Sequence, residues 1–185
     1  MAPSHIDYTA NIIDTGMFVG IGKPPCEGFD SLRATVQQVD TTLQLPPLIY
    51  SELGGDPSAD DYPSGSAYVD DGIQEGWITV KNSVEKTPKI KQIISDAEKI
   101  IKEESNHPKT IKVEEDVTLI GAAAQEFVQN ESVYVNIHTN DEAVAKAANI
   151  CLPEHGFYDI RAFYTPPSEA ERIMTNPDNL KPTRD

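Results

Sequence analysis

Sulfur ligands are scarce in this chain. Of 185 residues only Cys26 and Cys151 are cysteine; they lie far apart, match no metal-ligand or redox spacing, and read as ordinary free thiols. The four histidines, His5, His107, His138 and His155, share no metal-ligand spacing either, and His138 reads as a surface residue at a strand end. No apolar run approaches the roughly 20 residues that span a bilayer. Met1 to Tyr8 carries neither a basic n-region nor an apolar h-region, so no secretory signal and no membrane contact is expected, and the location expected is cytoplasmic. Positive charge is scarcest of all. Fifteen Lys and Arg stand against 30 Asp and Glu, a net charge of −15, which repels a phosphate backbone at ordinary ionic strength.

Two features offset that repulsion. At about 1 M salt charges are screened over roughly 3 Å, so an acidic surface suits a protein working in concentrated salt, and a halophilic source is expected. The basic residues are also unevenly placed: residues 81–112 hold eight lysines against five acids, a net +3 that leaves −18 for the remainder. With 38% hydrophobic residues, the chain suits one soluble domain with an insert rather than two full domains.

Strand and helix patterns alternate. Ala10 to Ile13 reads as a strand ending at Asp14, followed by a glycine-containing turn. Phe29, Leu32, Val36 and Val39 recur at helical spacing over about 27–40. Pro46 and Pro47 suit a helix's first turn, and Gly54-Gly55 stops a short helix over Leu48–Leu53 that carries Glu52. Residues 56–72 show no periodicity and read as a mobile loop or a poorly packed turn of helix. Trp77 to Val80 is a strand, and Pro88 opens a helix to about Glu104 with isoleucines on one face and lysines on another. A further helix begins at Glu115 or Asp116, Ser132 to Ile137 is a buried strand, a helix follows from Asp141, and Phe157 to Ala162 is the last strand. The tail from Thr165 is expected to fray. Alternation of this kind favours a parallel sheet covered on both faces.

Four carboxylates end or open these elements: Asp14, Glu52, Asp116 and Asp141. Each has a local explanation. Asp is common in turns, Glu52 suits a solvated helix face, Asp116 near a helix start is favoured by the macrodipole, and Thr139 with Glu142 fits a capping box. The capping box leaves Asp141 unexplained. Ligands of parallel α/β sheets gather outside the carboxyl ends of strands, where both Asp14 and Asp141 belong. Clustered carboxylates repel one another unless cations hold them, and Mg2+ or Mn2+ is the hard-cation partner such oxygens select. The chemistry expected is metal-assisted hydrolysis of a phosphodiester, with no His, Ser or Cys nucleophile needed.

The same residues resemble the PIN-domain ribonucleases. Asn11-Ile12-Ile13-Asp14-Thr15 is similar to that family's opening strand and DT motif, and Leu45 to Leu53 to its P-x-x-V-x-x-E-L helix. Asp116 to Ala122 is similar to its D-x-x-L-x-A helix, and Thr139-Asn140-Asp141 to its S/T-x-D strand end. The resemblance implies a three-layer α/β sandwich with a central, mainly parallel sheet. It implies metal binding and catalysis by Asp14, Glu52, Asp116 and Asp141, with Thr139 in support. One PIN-like domain over 1–165, a helical insert at about 84–112 and a tail over 166–185 follow. Because Glu114 and Glu115 precede Asp116, the third carboxylate is Glu115 or Asp116. The lysine-bearing insert also resembles that of the RNA-free, protein-only ribonuclease P proteins, also called RNA ligase partner proteins, although it is shorter than their paired helices.

Other motifs fail. The glycines at 16, 20 and 22 have the wrong spacing for a phosphate loop or a dinucleotide fingerprint, and residues 56–71 lack the ligand alternation of a calcium loop. Two functions remain: a metal-dependent endoribonuclease, acting as a toxin or in RNA processing, or a non-catalytic PIN-like module that binds RNA or protein. The implied partners are RNA, an antitoxin protein in the toxin case, and a second copy in a homo-oligomer. Lys89, Lys91, Lys99 and Lys102 are the candidate RNA contacts.

Overall fold

Two apolar segments set the centre of the sheet. Tyr8–Ile13 (β1) and Val133–Thr139 (β4) pair in parallel from Tyr8↔Val133 to Ile13↔His138. All seven residues of β4 are buried, as expected of a parallel strand covered on both faces. Leu43–Leu45 (β2) lies on the other side of β1, Ile78–Val80 (β3) beyond it, and Ile160–Tyr164 (β5) outside β4. The order is β3-β2-β1-β4-β5, every pair parallel. The computed structural model describes residues 6, 8–63, 67–105 and 110–183, and side chains in all of these except 110–115.

Helices cover both faces, giving the expected three-layer α/β sandwich. Pro88–Glu104 (α5), Thr110–Gln129 (α6) and Glu142–Glu154 (α7) pack together, with α6 against β1 and β4 and α7 against β4 and β5. Thr15–Ile21 (α1), Glu27–Val39 (α2) and Ala170–Met174 (α8) form the other layer. In α5, Ile90, Ile93, Ala97 and Ile101 are buried at helical spacing, and the Thr87 hydroxyl accepts from the Ile90 N–H at 3.3 Å to cap its start. Two short helices, Pro47–Glu52 (α3) and Asp70–Gln74 (α4), complete the fold.

Several elements depart from the sequence reading. The glycine-containing turn after β1 is the helix α1, because Met17, Phe18 and Ile21 are buried there despite the two glycines. β2 leaves no signal in the sequence, since three residues are too few to show a period. Part of the loop expected at 56–72 is anchored by Asp70, whose carboxylate accepts from the Tyr50 hydroxyl at 2.7 Å and from the Ala67 N–H at 3.0 Å. α6 begins at Thr110, so Asp116 lies in its second turn rather than at its start. β5 is shifted towards the C-terminus, because Ile160 is the residue in register with Val135.

The expected frayed tail is packed. Asn11, Asn136 and Arg161 sit side by side in register across β1, β4 and β5. Asn136 donates to the Asn11 side chain at 3.1 Å, and Asn11 to the Leu180 carbonyl at 3.1 Å. Arg161 donates to the Asp178 carbonyl at 3.1 Å. The row accounts for polar side chains at the middle of a buried sheet and ties residues 178–181 onto it. Leu180 is fully buried, so Leu180→Ala is expected to lower the unfolding free energy by about 2–5 kcal/mol in denaturant titration. A fraying tail would give a change within about 0.5 kcal/mol.

Candidate active site

The strand order reverses between β1 and β4, since the chain steps outward from β1 through β2 and β3 and then returns to β1's other edge. Crevices at such a point, beyond the carboxyl ends of the strands, are where parallel sheets bind ligands. Asp14 and Thr139 stand there together because Ile13 and His138 are register partners. The Asp14 N–H donates to the His138 carbonyl at 3.0 Å, continuing the ladder one step past the strand.

Asp14 occupies the N-cap position of α1 yet makes no capping bond, so its carboxylate is not explained by the helix. Instead Oδ2 accepts from the Thr139 hydroxyl at 2.7 Å. Burial raises the Asp14 pKa; hydrogen bonds from Thr139 and from the backbone of Thr15 and Asn140 oppose the rise, and the nearby Asp141 charge adds to it.

Asp141 is the true N-cap of α7: its Oδ1 accepts from the N–H groups of Ala143 at 2.9 Å and Val144 at 3.2 Å. The capping box expected from Thr139 and Glu142 is thereby corrected. Thr139, fully buried, accepts from the Asp141 N–H at 3.1 Å while donating to Asp14. One hydroxyl therefore spaces two carboxylate-bearing segments. Gly16 holds the α1 start against this loop, because a Cβ there would lie 2.2 Å from the Asn140 side chain. Gly16 and Asn140 are the site residues that spacing alone did not single out.

Glu52 closes α3 and accepts a hydrogen bond from the Thr15 hydroxyl, beside Asp14. Asp116 is half-buried on α6. Thirteen residues of helix from Gln129 lift it about 20 Å, close to the roughly 23 Å that seven-residue β4 rises, so it reaches the level of the strand ends. Among the described residues, no three Asp, Glu, His or Cys side chains form a group that could hold one ion. Asp14, Glu52 and Asp141 thus share one end of the sheet, helix length brings Asp116 to the same height, and no cage closes among the described residues. The alternative third carboxylate, Glu115, lies outside the residues whose side chains are described.

His138 is a correction. It is fully buried, stacked on Phe163 with ring centroids 4.9 Å apart, and neither ring nitrogen has a hydrogen-bond partner among the described residues. Burial first, then the Arg161 charge, pushes its pKa down to about 3, so it stays neutral in the fold. An unfolded His binds a proton near pH 6.5. Stability tied to this residue is therefore present above pH 6.5 and lost as pH falls towards the folded value. Between pH 7 and 5 the loss is expected to be about 2 kcal/mol, and His138→Leu should flatten that part of the pH profile in denaturant titrations. An unchanged profile would refute the assignment.

The four candidate RNA-contacting lysines face different surroundings. Lys89 lies over the Phe157 ring, 4.4 Å from its centre. Lys99 pairs with Asp96 at 2.9 Å and Lys102 with Glu98 at 4.0 Å. Lys91 alone of the four lines a cleft of about 1010 Å³ on the α5–α6 face. Among the described residues no helix is long and apolar enough to cross a membrane.

Residues 7–175 match the sequence model of a family described as the halobacterial PIN domain. No curated protein and no solved structure matches the chain.

Proposed function

The chain belongs to the halobacterial PIN-domain family, a family of nuclease-like proteins, and we propose that it is a metal-dependent endoribonuclease acting at the carboxyl end of β1 and β4. The observation that carries this reading is the Asp14–Thr139–Asp141 arrangement, in which a partly desolvated carboxylate with no capping task is held beside a second one. The residues fit Mg2+ or Mn2+. Magnesium commonly uses one or two carboxylates, waters and substrate phosphates rather than an all-protein cage, which suits a site where no three such side chains group together among the described residues. Asp14 and Asp141 would hold the ion, with Glu52 and Asp116 at the periphery of the same end.

Such an ion supplies polarisation of the phosphoryl oxygen and acidification of water. The chain's own residues prepare for it. Thr139 fixes the Asp14 carboxylate by donating to Oδ2. Asp141 spends one oxygen on α7 and keeps the other. Burial, and to a smaller extent the Asp141 charge, raise the Asp14 pKa, and a cation between the two carboxylates would offset both effects. Incubation with a mixed RNA pool and manganese, with and without chelator and at high and low salt, tests the proposal. Chelator-sensitive internal cleavage is expected; RNA binding without cleavage would favour the non-catalytic module.

A further inference from the structure

The cleft on the α5–α6 face has features that the carboxylate site does not use. It is bounded by Pro46 and Pro47 after β2, by residues 81–84 after β3, and by α5 and α6. It therefore opens at the carboxyl end of the sheet. Ser51, next to Glu52, and Val117, next to Asp116, belong to its wall, so it adjoins the catalytic end.

Its floor holds Gln44, at the middle of β2 between two fully buried leucines. Gln44 is 2% exposed. Its Nε2 donates to the Tyr8 hydroxyl, but Oε1 has no partner among the described residues. A buried acceptor left unpaired opposes folding, and a strand interior gains nothing from it, so a ligand donor is the natural complement. Above it the walls are apolar, with Val84, Ile94 and Val117, while Asn82 adds a further amide.

Charge distinguishes the rim. In a molecule of net charge −15, the cleft is lined by Lys81, Lys86 and Lys91 against Glu98 and Glu126. Lys81 neutralises Glu126 at 2.9 Å. Lys86 and Lys91 are exposed and in no ion pair among the described residues. Apolar walls, amides at the floor and cations at the mouth match a flat heterocycle joined to a phosphate. The volume of about 1010 Å³ is at the top of the roughly 300–1,000 Å³ usual for such sites.

We infer that this cleft receives an unstacked base of the RNA strand, read by Gln44 and Asn82, with Lys86 and Lys91 holding the adjoining phosphates. The inference rests on the nuclease reading and names where its substrate lies. Gln44 and Asn82 are specificity-determining residues.

Short single-stranded RNA oligomers, natural and abasic, are the probes, with binding followed by fluorescence anisotropy in chelator so that no cleavage occurs. Wild type should bind the natural oligomer at least tenfold more tightly than the abasic one. Ser95→Trp, which places an indole in the cleft from an exposed lining position on α5, should bring the natural oligomer to the abasic level and leave abasic binding unchanged. Lys86→Ala with Lys91→Ala should lower the salt slope by about 0.7 for each phosphate that is no longer neutralised, with the melting temperature unmoved. Equal binding of natural and abasic oligomers by wild type, or Ser95→Trp binding both as wild type does, would overturn the inference. Parallel cleavage assays with manganese separate the two ideas: base-dependent binding without cleavage strikes the nuclease reading alone, and cleavage insensitive to Ser95→Trp strikes the cleft alone.

Discussion

Asp14→Asn is expected to reduce manganese-dependent RNA cleavage by more than about a hundredfold, since changing a residue that only orients a ligand already costs about 10- to 100-fold. The fold should survive. Asn preserves the side-chain shape and can still accept from the Thr139 hydroxyl, now bonded to Asp14 Oδ2 at 2.7 Å. Burial and the Asp141 charge raise the Asp14 pKa, so the native state binds this proton more tightly than the unfolded chain. Stability tied to Asp14 is therefore greatest at acid pH and falls as pH rises through the folded value. The metal-free Asp14→Asn protein should accordingly be at least as stable as wild type at pH 7, with the difference shrinking as pH falls. Asp141 separates site from scaffold differently. Asp141→Asn keeps a good N-cap and should lose only activity, whereas Asp141→Ala should also lose about 0.5–2 kcal/mol through the α7 cap. Full cleavage by either Asn variant would sink the carboxylate assignment.

The part of the site that was legible in sequence is the part written locally. Asp14 and Asp141 each follow an apolar strand, and a parallel sheet places both ends together whatever the intervening chain does. The role of Thr139 could be named from the family resemblance, but its bond pattern was not legible. A capping box and an Asp N-cap use the same residue types within three positions, and only the backbone turn at 140 decides between them. Asp116 depends on something less local still, the length of α6, which begins six residues before it. The fold shows the same division. Long, strongly periodic α2 and α5 were plain, whereas three-residue β2 and the tail were not. The tail's burial comes from a polar row, Asn11–Asn136–Arg161, whose members are 125 and 25 residues apart and look like solvated side chains until the strands are paired. His138 misled for a related reason: a strand-end position suggests solvent, but the residue is fully buried and stacked on Phe163.

Thermal unfolding should respond to salt and to metal by two separable routes. The net charge of −15 makes surface self-repulsion the first. At low salt the repulsion between acids destabilises the compact state, so the melting temperature should rise with potassium chloride as screening shortens, and Asp14→Asn should follow nearly the same curve. The second route is local. An ion bound only by the folded state adds RT ln(1 + [L]/Kd), about 2.7 kcal/mol at a hundred times Kd. For a chain of this size that corresponds to a rise of roughly 5–10 °C. Manganese at millimolar concentration, added on top of a fixed high concentration of potassium chloride, contributes almost nothing to screening. The rise it produces in wild type should therefore be much smaller in Asp14→Asn and in Asp141→Asn. Equal manganese shifts in all three proteins would mean that the ion acts on the surface at large, and the pair of carboxylates at the β1 and β4 ends would lose its claim to be a metal site.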